Sequence, residues 1–384
     1  MKIIILDGYT ENPGDLSWDM FKKLGDVTIY DRTPEEEVLE RIGDAEIVIT
    51  NKVPFDRERM EQLPNLKHIA VTAAGYNIID TAAAKELGIT VTNTPNYGSS
   101  GVAQMTFAHI LEITNNVALH SESVKRGEWA NNIEWCYWYK PIIGLKGKRI
   151  GIIGYGNIGK EVGNIAKAFG MDVAVYDKNN HSDVVNLPLD DIFKTSDIIT
   201  LHCPLLPETR NIICRENIEK MKDGVIIINT SRGPLVNEED LAEAVKKGKV
   251  YAAGVDVLSN EPPALNDPMA NCEGINVTPH IAWAAIESRQ NIMDICFDNL
   301  KSFLEGKSKN VALLTYRCFF LDLFKEEKGY KVVSKTFAKD NPQYAEKVIG
   351  FEKYFGLPFL ETYICVSGNE YIINKEVIER EWLV

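Results

Sequence analysis

An apolar run that breaks into spaced glycines constrains this chain more than any other stretch. Arg149-Ile-Gly-Ile-Ile-Gly-Tyr-Gly-Asn-Ile-Gly159 reads as a buried strand ending in Gly154, Gly156 and Gly159, followed by a helix-like run. The next apolar strand, Val173 to Tyr176, stops at Asp177, eighteen residues beyond the last glycine. Each residue type has a physical reason. Gly154 allows the tight turn, Gly156 lets backbone approach a pyrophosphate, and Gly159 brings the helix close to the sheet. The helix start offers free N–H groups and the positive end of its dipole to phosphates. Taken alone, Gly-x-Gly-x-x-Gly also fits an ordinary strand-turn-helix; with Asp177 in register the stretch reads as a dinucleotide-binding βαβ unit. A carboxylate at 177 accepts hydrogen bonds from an adenosine ribose diol and repels a 2′-phosphate, so NAD is favoured over NADP.

The rest of the chain alternates in the same way. Before the glycine turn, Lys2 to Leu6, Val27 to Tyr30, Ile47 to Thr50, Leu66 to Ala73 and Thr90 to Asn93 read as strands. Helix-like runs lie between them at Pro34 to Ile42, Asp56 to Leu63 and Asp80 to Leu87, with acids and Pro near their starts. Ser99 to Arg126 has apolar residues on helical spacing and reads as one connecting helix. After Asp177, strands are expected at Ile198 to His202, Val225 to Asn229, Ala252 to Val257 and Ile275 to Thr278, with helices at Asn237 to Lys247 and Ala284 to Leu304. The last part, Leu313 to Val384, is dense in aromatics, including Phe319, Phe351, Tyr354, Phe355 and Trp382, and is expected to fold or to pack on a partner. Strands are expected there at Phe359 to Val366 and Glu370 to Ile373, around a Ser367-Gly368-Asn369 turn.

A length of 384 residues suits two or three domains. A formal charge of −13, without a clustered Lys/Arg run, argues against a nucleic-acid surface. Seven cysteines without a Cys-x-x-Cys pair fit a reducing cytoplasm and give no sign of a metal site. The apolar window after Met1 is too short for a signal peptide, and no run is long enough to span a membrane.

Loops at the carboxyl ends of parallel strands project into one crevice, so residues distant in sequence can meet there. Arg232, in Asn229-Thr-Ser-Arg-Gly233, Glu261, before Pro262, and His280, in Val277-Thr-Pro-His280, all fall at such ends. Hydride transfer to a 2-keto acid needs a proton donor, a cation that holds and polarises the substrate, and orientation of both. His280 supplies the first, Arg232 offers a forked set of donors, and Glu261 on the other imidazole nitrogen would fix the tautomer. Each also admits a structural reading: a surface ion pair, a solvated turn, a strand end. His68, His109 and His202 lie in apolar contexts and read as core or interface residues, whereas His120 and His181 read as exposed. Asp256, within Ala252-Ala-Gly-Val-Asp-Val257, is costly to bury unless a ligand amide or a cation pairs with it, and is assigned to the nicotinamide carboxamide.

Over about residues 1 to 312 the sequence resembles the D-isomer-specific 2-hydroxyacid dehydrogenases. The residues that carry the likeness are Gly151 to Gly159, Leu201-His-Cys-Pro-Leu-Leu-Pro-Glu-Thr209, Ile228-Asn-Thr-Ser-Arg-Gly-Pro-Leu-Val-Asn-Glu-Glu-Asp-Leu241, Gly254-Val-Asp-Val257 and Thr278-Pro-His-Ile-Ala-Trp283. The resemblance implies an α/β fold in which a doubly wound parallel-sheet (Rossmann) NAD domain, 99–283, is inserted in a smaller flavodoxin-like substrate domain, 1–98 and 284–312. A C-terminal extension of unassigned fold, 313–384, follows. It implies Arg232, Glu261 and His280 as catalytic residues, and Asn157, Ile158, Thr209, Thr230 and Asp256 beside the glycines and Asp177 in the cofactor site. Cys203 and Pro204 would line the adenine pocket, and Ala74 and Gly75 would present N–H groups to a substrate carboxylate, although Gly75 also suits a tight turn. Trp135-Cys-Tyr-Trp-Tyr-Lys-Pro141 is similar to the glycerate dehydrogenase (hydroxypyruvate reductase) branch, whose members form homodimers. There Trp138 would help select the substrate, or the aromatics would only pack an interface. The expected activity is reduction of hydroxypyruvate or glyoxylate; a phosphoglycerate-dehydrogenase-type enzyme and an NAD-sensing corepressor are the alternatives.

Overall fold

The computed structural model describes residues 1–312 and, beyond them, only the backbone of 325–326 and 329–330. Two compact units divide the chain after Ala312.

The first stretch gives β1 (Lys2–Ile5), β2 (Asp26–Ile29), α1 (Val38–Ile42), β3 (Ile47–Thr50), α2 (Arg57–Glu61), β4 (His68–Val71), α3 (Thr81–Glu86) and β5 (Thr90–Thr92). The strands form a parallel sheet in the order β2-β1-β3-β4-β5. β3 and β4 are buried along their whole length, as strands covered on both faces must be. Asp56 and Asp80 open α2 and α3 by accepting the N–H groups of Arg59 and Ala83.

The run 99–126 is not one helix. Asn116 adopts φ +49, which ends α4 (Ser99–Asn115) and starts α5 (Val117–Lys125). Asn is among the few residues that tolerate this left-handed region, and its N–H closes α4 on Glu112 O.

The second sheet is built from β6 (Arg149–Ile153), α6 (Asn157–Ala168), β7 (Asp172–Tyr176), β8 (Val185–Asn186), α7 (Leu189–Thr195), β9 (Ile198–Leu201), α8 (Arg215–Lys220), β10 (Val225–Asn229), α9 (Glu238–Lys246), β11 (Val250–Val255) and β12 (Ile275–Val277). The seven strands lie parallel in the order β12-β11-β10-β9-β6-β7-β8. The order reverses between β6 and β9, the switch point where such sheets take ligands. β8, two residues long, left no readable pattern in the sequence. β11 ends at Val255, so Asp256 lies just past the strand rather than inside it. Asn237 caps α9, accepting the N–H of Asp240.

One face of each sheet carries its own apolar cluster, and the other face carries a second. On the first sheet that second cluster is completed by α10 (Ile286–Leu304), whose Met293, Cys296 and Leu300 pack with Ile3, Ile5 and Ala70. The chain therefore leaves the first sheet, builds the second, and returns. In the other unit, β13 (Lys325–Glu326) pairs antiparallel with β14 (Gly329–Tyr330). The strands expected at 359–366 and 370–373 lie outside the described residues. Among the described residues no helix is long and apolar enough to cross a membrane.

Candidate active site

The glycine turn at the end of β6 shows why these positions exclude side chains. Gly154 has φ +92, and a Cβ there would stand 2.6 Å from Cys203 N and His202 O. A Cβ on Gly159 would meet Gly154 O at 2.2 Å, so α6 packs directly on the turn. Gly156, by contrast, has nothing within 4 Å. Its backbone borders open space at the head of α6, where a phosphate can reach free N–H groups. This cradle fits a dinucleotide. Ile158 is partly buried in the apolar cluster beneath, and Asn157 Nδ2 donates to Asn96 Oδ1 at 2.9 Å, linking α6 to the segment before α4.

Asp177 follows directly on β7, with its carboxylate already organised. Oδ2 accepts Tyr155 N at 2.7 Å, Oδ1 accepts Asn179 N at 2.9 Å, and His181 Nε2 stands 3.5 Å away. Burial pushes this carboxyl up, but the two N–H groups and the imidazole outweigh it and hold it below the usual range. His181 is therefore not the exposed residue its sequence context predicts: it sits partly buried, edge-on to the Tyr155 ring. His120 likewise is half-buried against Tyr139. After β9, Cys203 is buried, its thiol pushed up to about 11 by burial, and its carbonyl accepts the Ser231 hydroxyl at 2.9 Å. Thr209 ties the next loop together, donating to Pro204 O at 2.7 Å and accepting Leu206 N.

His280 and Glu261 meet. His280 Nδ1 and Glu261 Oε2 are 2.6 Å apart, and Glu261 Oε1 accepts Leu258 N at 2.9 Å. A carboxylate only accepts, so Nδ1 carries a hydrogen and Nε2 is left for a mobile proton. The His280 backbone has φ +53, an unfavourable region for its side chain, and the neighbouring contacts enforce it. Its N–H donates to Asp256 O and its carbonyl accepts Trp283 Nε1 at 2.8 Å. The buried Asp256 carboxylate accepts the Thr278 hydroxyl at 2.5 Å, Ile281 N at 2.9 Å and Ala282 N at 2.7 Å. The expectation that burying this acid requires a ligand amide or a cation is therefore corrected. The loop after β12 supplies three donors, and Oδ2, with one of them, keeps room for a fourth.

Arg232 follows β10 and is exposed, with Nη1 donating to Ser231 O at 2.7 Å and no carboxylate partner among the described residues. It is not a surface ion pair. A Cβ on Gly75 would stand 3.9 Å from Arg232 Nη2, so the guanidinium faces the loop after β4. Gly75 is not among the glycines at positive φ, so its backbone conformation does not require glycine. Neither Ala74 nor Gly75 donates its N–H to an acceptor among the described residues, while Ala74 O accepts Asn93 Nδ2 at 2.7 Å. Thr230, two residues before Arg232, is buried with its oxygen 3.0 Å from that of Thr106. Trp138 is 63% exposed in a segment that also exposes Ile133 and Trp135.

Two neighbours carried no mark in the sequence. Tyr97 lies close enough to Arg232 and Glu11 to feel both charges; burial pushes its phenol up to about 12, with Arg232 opposing and Glu11 adding. Glu11, 1% exposed, accepts Asn51 Nδ2 at 2.6 Å and the Thr72 hydroxyl at 2.9 Å. Both come from loops whose pattern signals only strands and turns.

A glycine cradle at the switch point, and a carboxylate-held imidazole just past the end of β12 in the same sheet, define a nicotinamide-dinucleotide-dependent oxidoreductase. Residues 107–282 match the family model described as D-isomer specific 2-hydroxyacid dehydrogenase, NAD binding domain. A hydroxypyruvate reductase of Blautia hydrogenotrophica is 50% identical over 320 residues, covering 81% of this chain and 99% of that protein. A glycerate dehydrogenase of Methylorubrum extorquens is 42% identical, covering 73% and 89%. Among solved structures, a protein of Thermus thermophilus superposes with a TM-score of 0.73 at 30% identity, covering 82% of this chain and all of that one. The chain belongs to the D-isomer-specific 2-hydroxyacid dehydrogenases, and it carries their NAD-binding domain.

Proposed function

We propose that this protein reduces hydroxypyruvate or glyoxylate, to D-glycerate or glycolate, with NADH. The reading is carried by the approach of Arg232 to Gly75, taken together with the His280–Glu261 pair. Ala74 and Gly75 offer N–H groups to the substrate carboxylate, while Arg232 grips that carboxylate and polarises the adjacent carbonyl. When bound, NADH supplies the hydride that C2 receives. His280 delivers its Nε2 proton to the carbonyl oxygen, and Glu261 holds the ring and stabilises its charged form. Asp256 takes the carboxamide on the free side of Oδ2, and Asp177 takes the ribose diol, which sets NAD above NADP. The glycine turn with Asn157, Ile158, Cys203, Pro204, Thr209 and Thr230 completes the cofactor site.

We place the substrate domain at 1–98 and 284–312 and the NAD domain at 99–283. The packing of α10 on the first sheet supports this division. We infer a homodimer, because Ile133, Trp135 and Trp138 are 98%, 84% and 63% exposed, more apolar surface than one segment of a monomer normally leaves open. In that dimer Trp138 reaches the partner's site. The five described cysteines are unpaired, which supports a cytoplasmic setting.

The test is NADH oxidation with hydroxypyruvate, glyoxylate, pyruvate and 3-phosphohydroxypyruvate. Preference for the first two is expected. Preference for the phosphorylated acid would install the phosphoglycerate-dehydrogenase reading, and turnover of none would install the NAD-sensing corepressor.

A further inference from the structure

Helix α4 runs behind both reactive loops, and one of its faces carries two polar side chains. Thr106 and His109 are three residues apart, hence neighbours on that face, and they are 0% and 4% exposed. Thr106 Oγ1 donates to Val102 O at 2.9 Å, which uses its only hydrogen. In the 3.0 Å contact with Thr230 the donor is therefore the Thr230 hydroxyl. The same accounting fixes the second contact. Thr278 donates its hydrogen to Asp256 Oδ1, so His109 Nε2, 3.0 Å from Thr278 Oγ1, is the donor to Thr278. Burial holds the His109 imidazole below its ordinary pKa, against the pull of Asp256.

Both partners stand two residues before a reactive side chain, Thr230 before Arg232 and Thr278 before His280. From His109 a chain of hydrogen bonds runs through Thr278 to Asp256, and from Asp256 to the N–H groups of Ile281 and Ala282, which follow directly on the strained His280 backbone. The helix is seated closely enough to fix these groups. A Cβ on Gly254 of β11 would stand 2.6 Å from His109 Cβ, and one on Gly101 would stand 3.4 Å from Ala282 O. Apolar residues would fill this interior without needing partners, so buried hydroxyls and an imidazole supply direction where packing alone supplies none.

We propose that Thr106 and His109 are positioning residues for the two catalytic loops, Thr106 setting the Arg232 loop through Thr230 and His109 setting the His280 loop through Thr278. The inference rests on the roles assigned above to Arg232 and His280. Neither α4 residue touches the substrate, so their loss alters geometry rather than chemistry. T106V loosens the grip on the keto acid, raising its KM and weakening binding of oxamate to the enzyme–NADH complex, each by roughly three- to tenfold. H109L lowers kcat on the order of tenfold with NADH affinity unchanged. T106S keeps the acceptor and H109Q keeps an N–H near the position of Nε2, so both return to within about twofold of the unaltered enzyme.

The experiment measures kcat, KM, NADH affinity, oxamate affinity by NADH fluorescence, and melting temperature for the four variants, with R232A and H280A alongside. Apolar variants that melt lower but keep their kinetic constants and oxamate affinity would overturn the inference, as would conservative variants that fail to restore them. Should R232A and H280A themselves turn over normally, the catalytic assignment fails first and this inference falls with it. Steep losses in those two beside silent α4 variants would remove the inference alone.

Discussion

At residue scale the site divides labour among groups that differ in how firmly they are held. Glu261 uses one oxygen on Leu258 N and the other on His280, so backbone keeps it in place for the orienting role proposed above. Arg232 has one carbonyl contact among the described residues, which suits the anion-gripping role proposed for it. Arg232→Ala and His280→Ala are each expected to lower turnover by about a hundredfold or more while leaving NADH affinity within about twofold. Stopped-flow turnover together with NADH fluorescence titration reads both; loss of NADH binding instead would undo the assignment. Asp177→Asn keeps acceptor capacity for Tyr155 N while removing the charge. The ratio of NADPH to NADH efficiency should then rise on the order of tenfold, and an unchanged ratio would show that another residue makes the selection. The three side chains proposed as catalytic stand out in the sequence because each closes a short, dense pattern after a strand. The partners of Asp256 were not legible, because Thr278 and the two N–H groups it uses lie more than twenty residues away and meet it only through the sheet. Tyr97 and Glu11 lie in loops where no periodicity exists to mark them.

At element scale, strands read well and the ends and breaks of elements less so. β3 and β10 occupy the expected residues because an unbroken apolar run bounded by polar residues has one reading. β11 was displaced because Val257 resumes the apolar texture after Asp256, past the ladder, which stops where the neighbouring strand β12 stops. The break at Asn116 has a local cause that periodicity cannot see, since apolar spacing continues across it. It yields a prediction about the connecting helices. Asn116→Ala forces a Cβ without a polar tip into the left-handed region and should cost about 1 kcal/mol, whereas Asn116→Gly should be neutral or stabilising. Urea unfolding monitored by circular dichroism distinguishes them; equal loss in both would mean that the Asn side chain, which donates to Ile113 O at 3.3 Å, matters more than the backbone.

For the whole molecule, two buried titratable groups on the first sheet set opposing limits on stability. His68, 0% exposed between Thr92 and Phe303, is pushed by burial down to about 3, from 6.5 when unfolded. Below pH 6.5 the unfolded chain binds a proton there that the folded chain refuses, so stability is lost as pH falls from 6.5 toward 3. Glu11 acts in the other direction. Burial pushes its carboxyl up, the Thr72 hydroxyl and Asn51 amide pull against this, and Asp7 adds to the rise, leaving it at about 8. The folded chain then holds a proton that the unfolded chain releases above 4.5, so stability present at low pH is lost as pH rises from 4.5 through 8. Each full proton is worth about 1.4 kcal/mol per pH unit, so both slopes are large enough to move the melting temperature. The groups facing Glu11 are Asp7 after β1, Asn51 and Thr72 after β3 and β4, Tyr97 before α4, and Arg289 and Cys296 on α10. Arg289 bonds the Glu11 carbonyl and is paired to Asp15, so it offers the Glu11 carboxylate no direct neutralising contact. Glu11→Gln keeps an oxygen that can accept from both Asn51 and Thr72 and removes the titration. Its melting temperature should therefore fall less than that of the unaltered protein between about pH 6 and 8.5, while His68→Gln, which keeps a polar partner for the Thr92 hydroxyl, should flatten the fall between about pH 6.5 and 4.5. Parallel curves for Glu11→Gln and the unaltered protein above about pH 6 would show that this carboxyl is already ionised in the folded state.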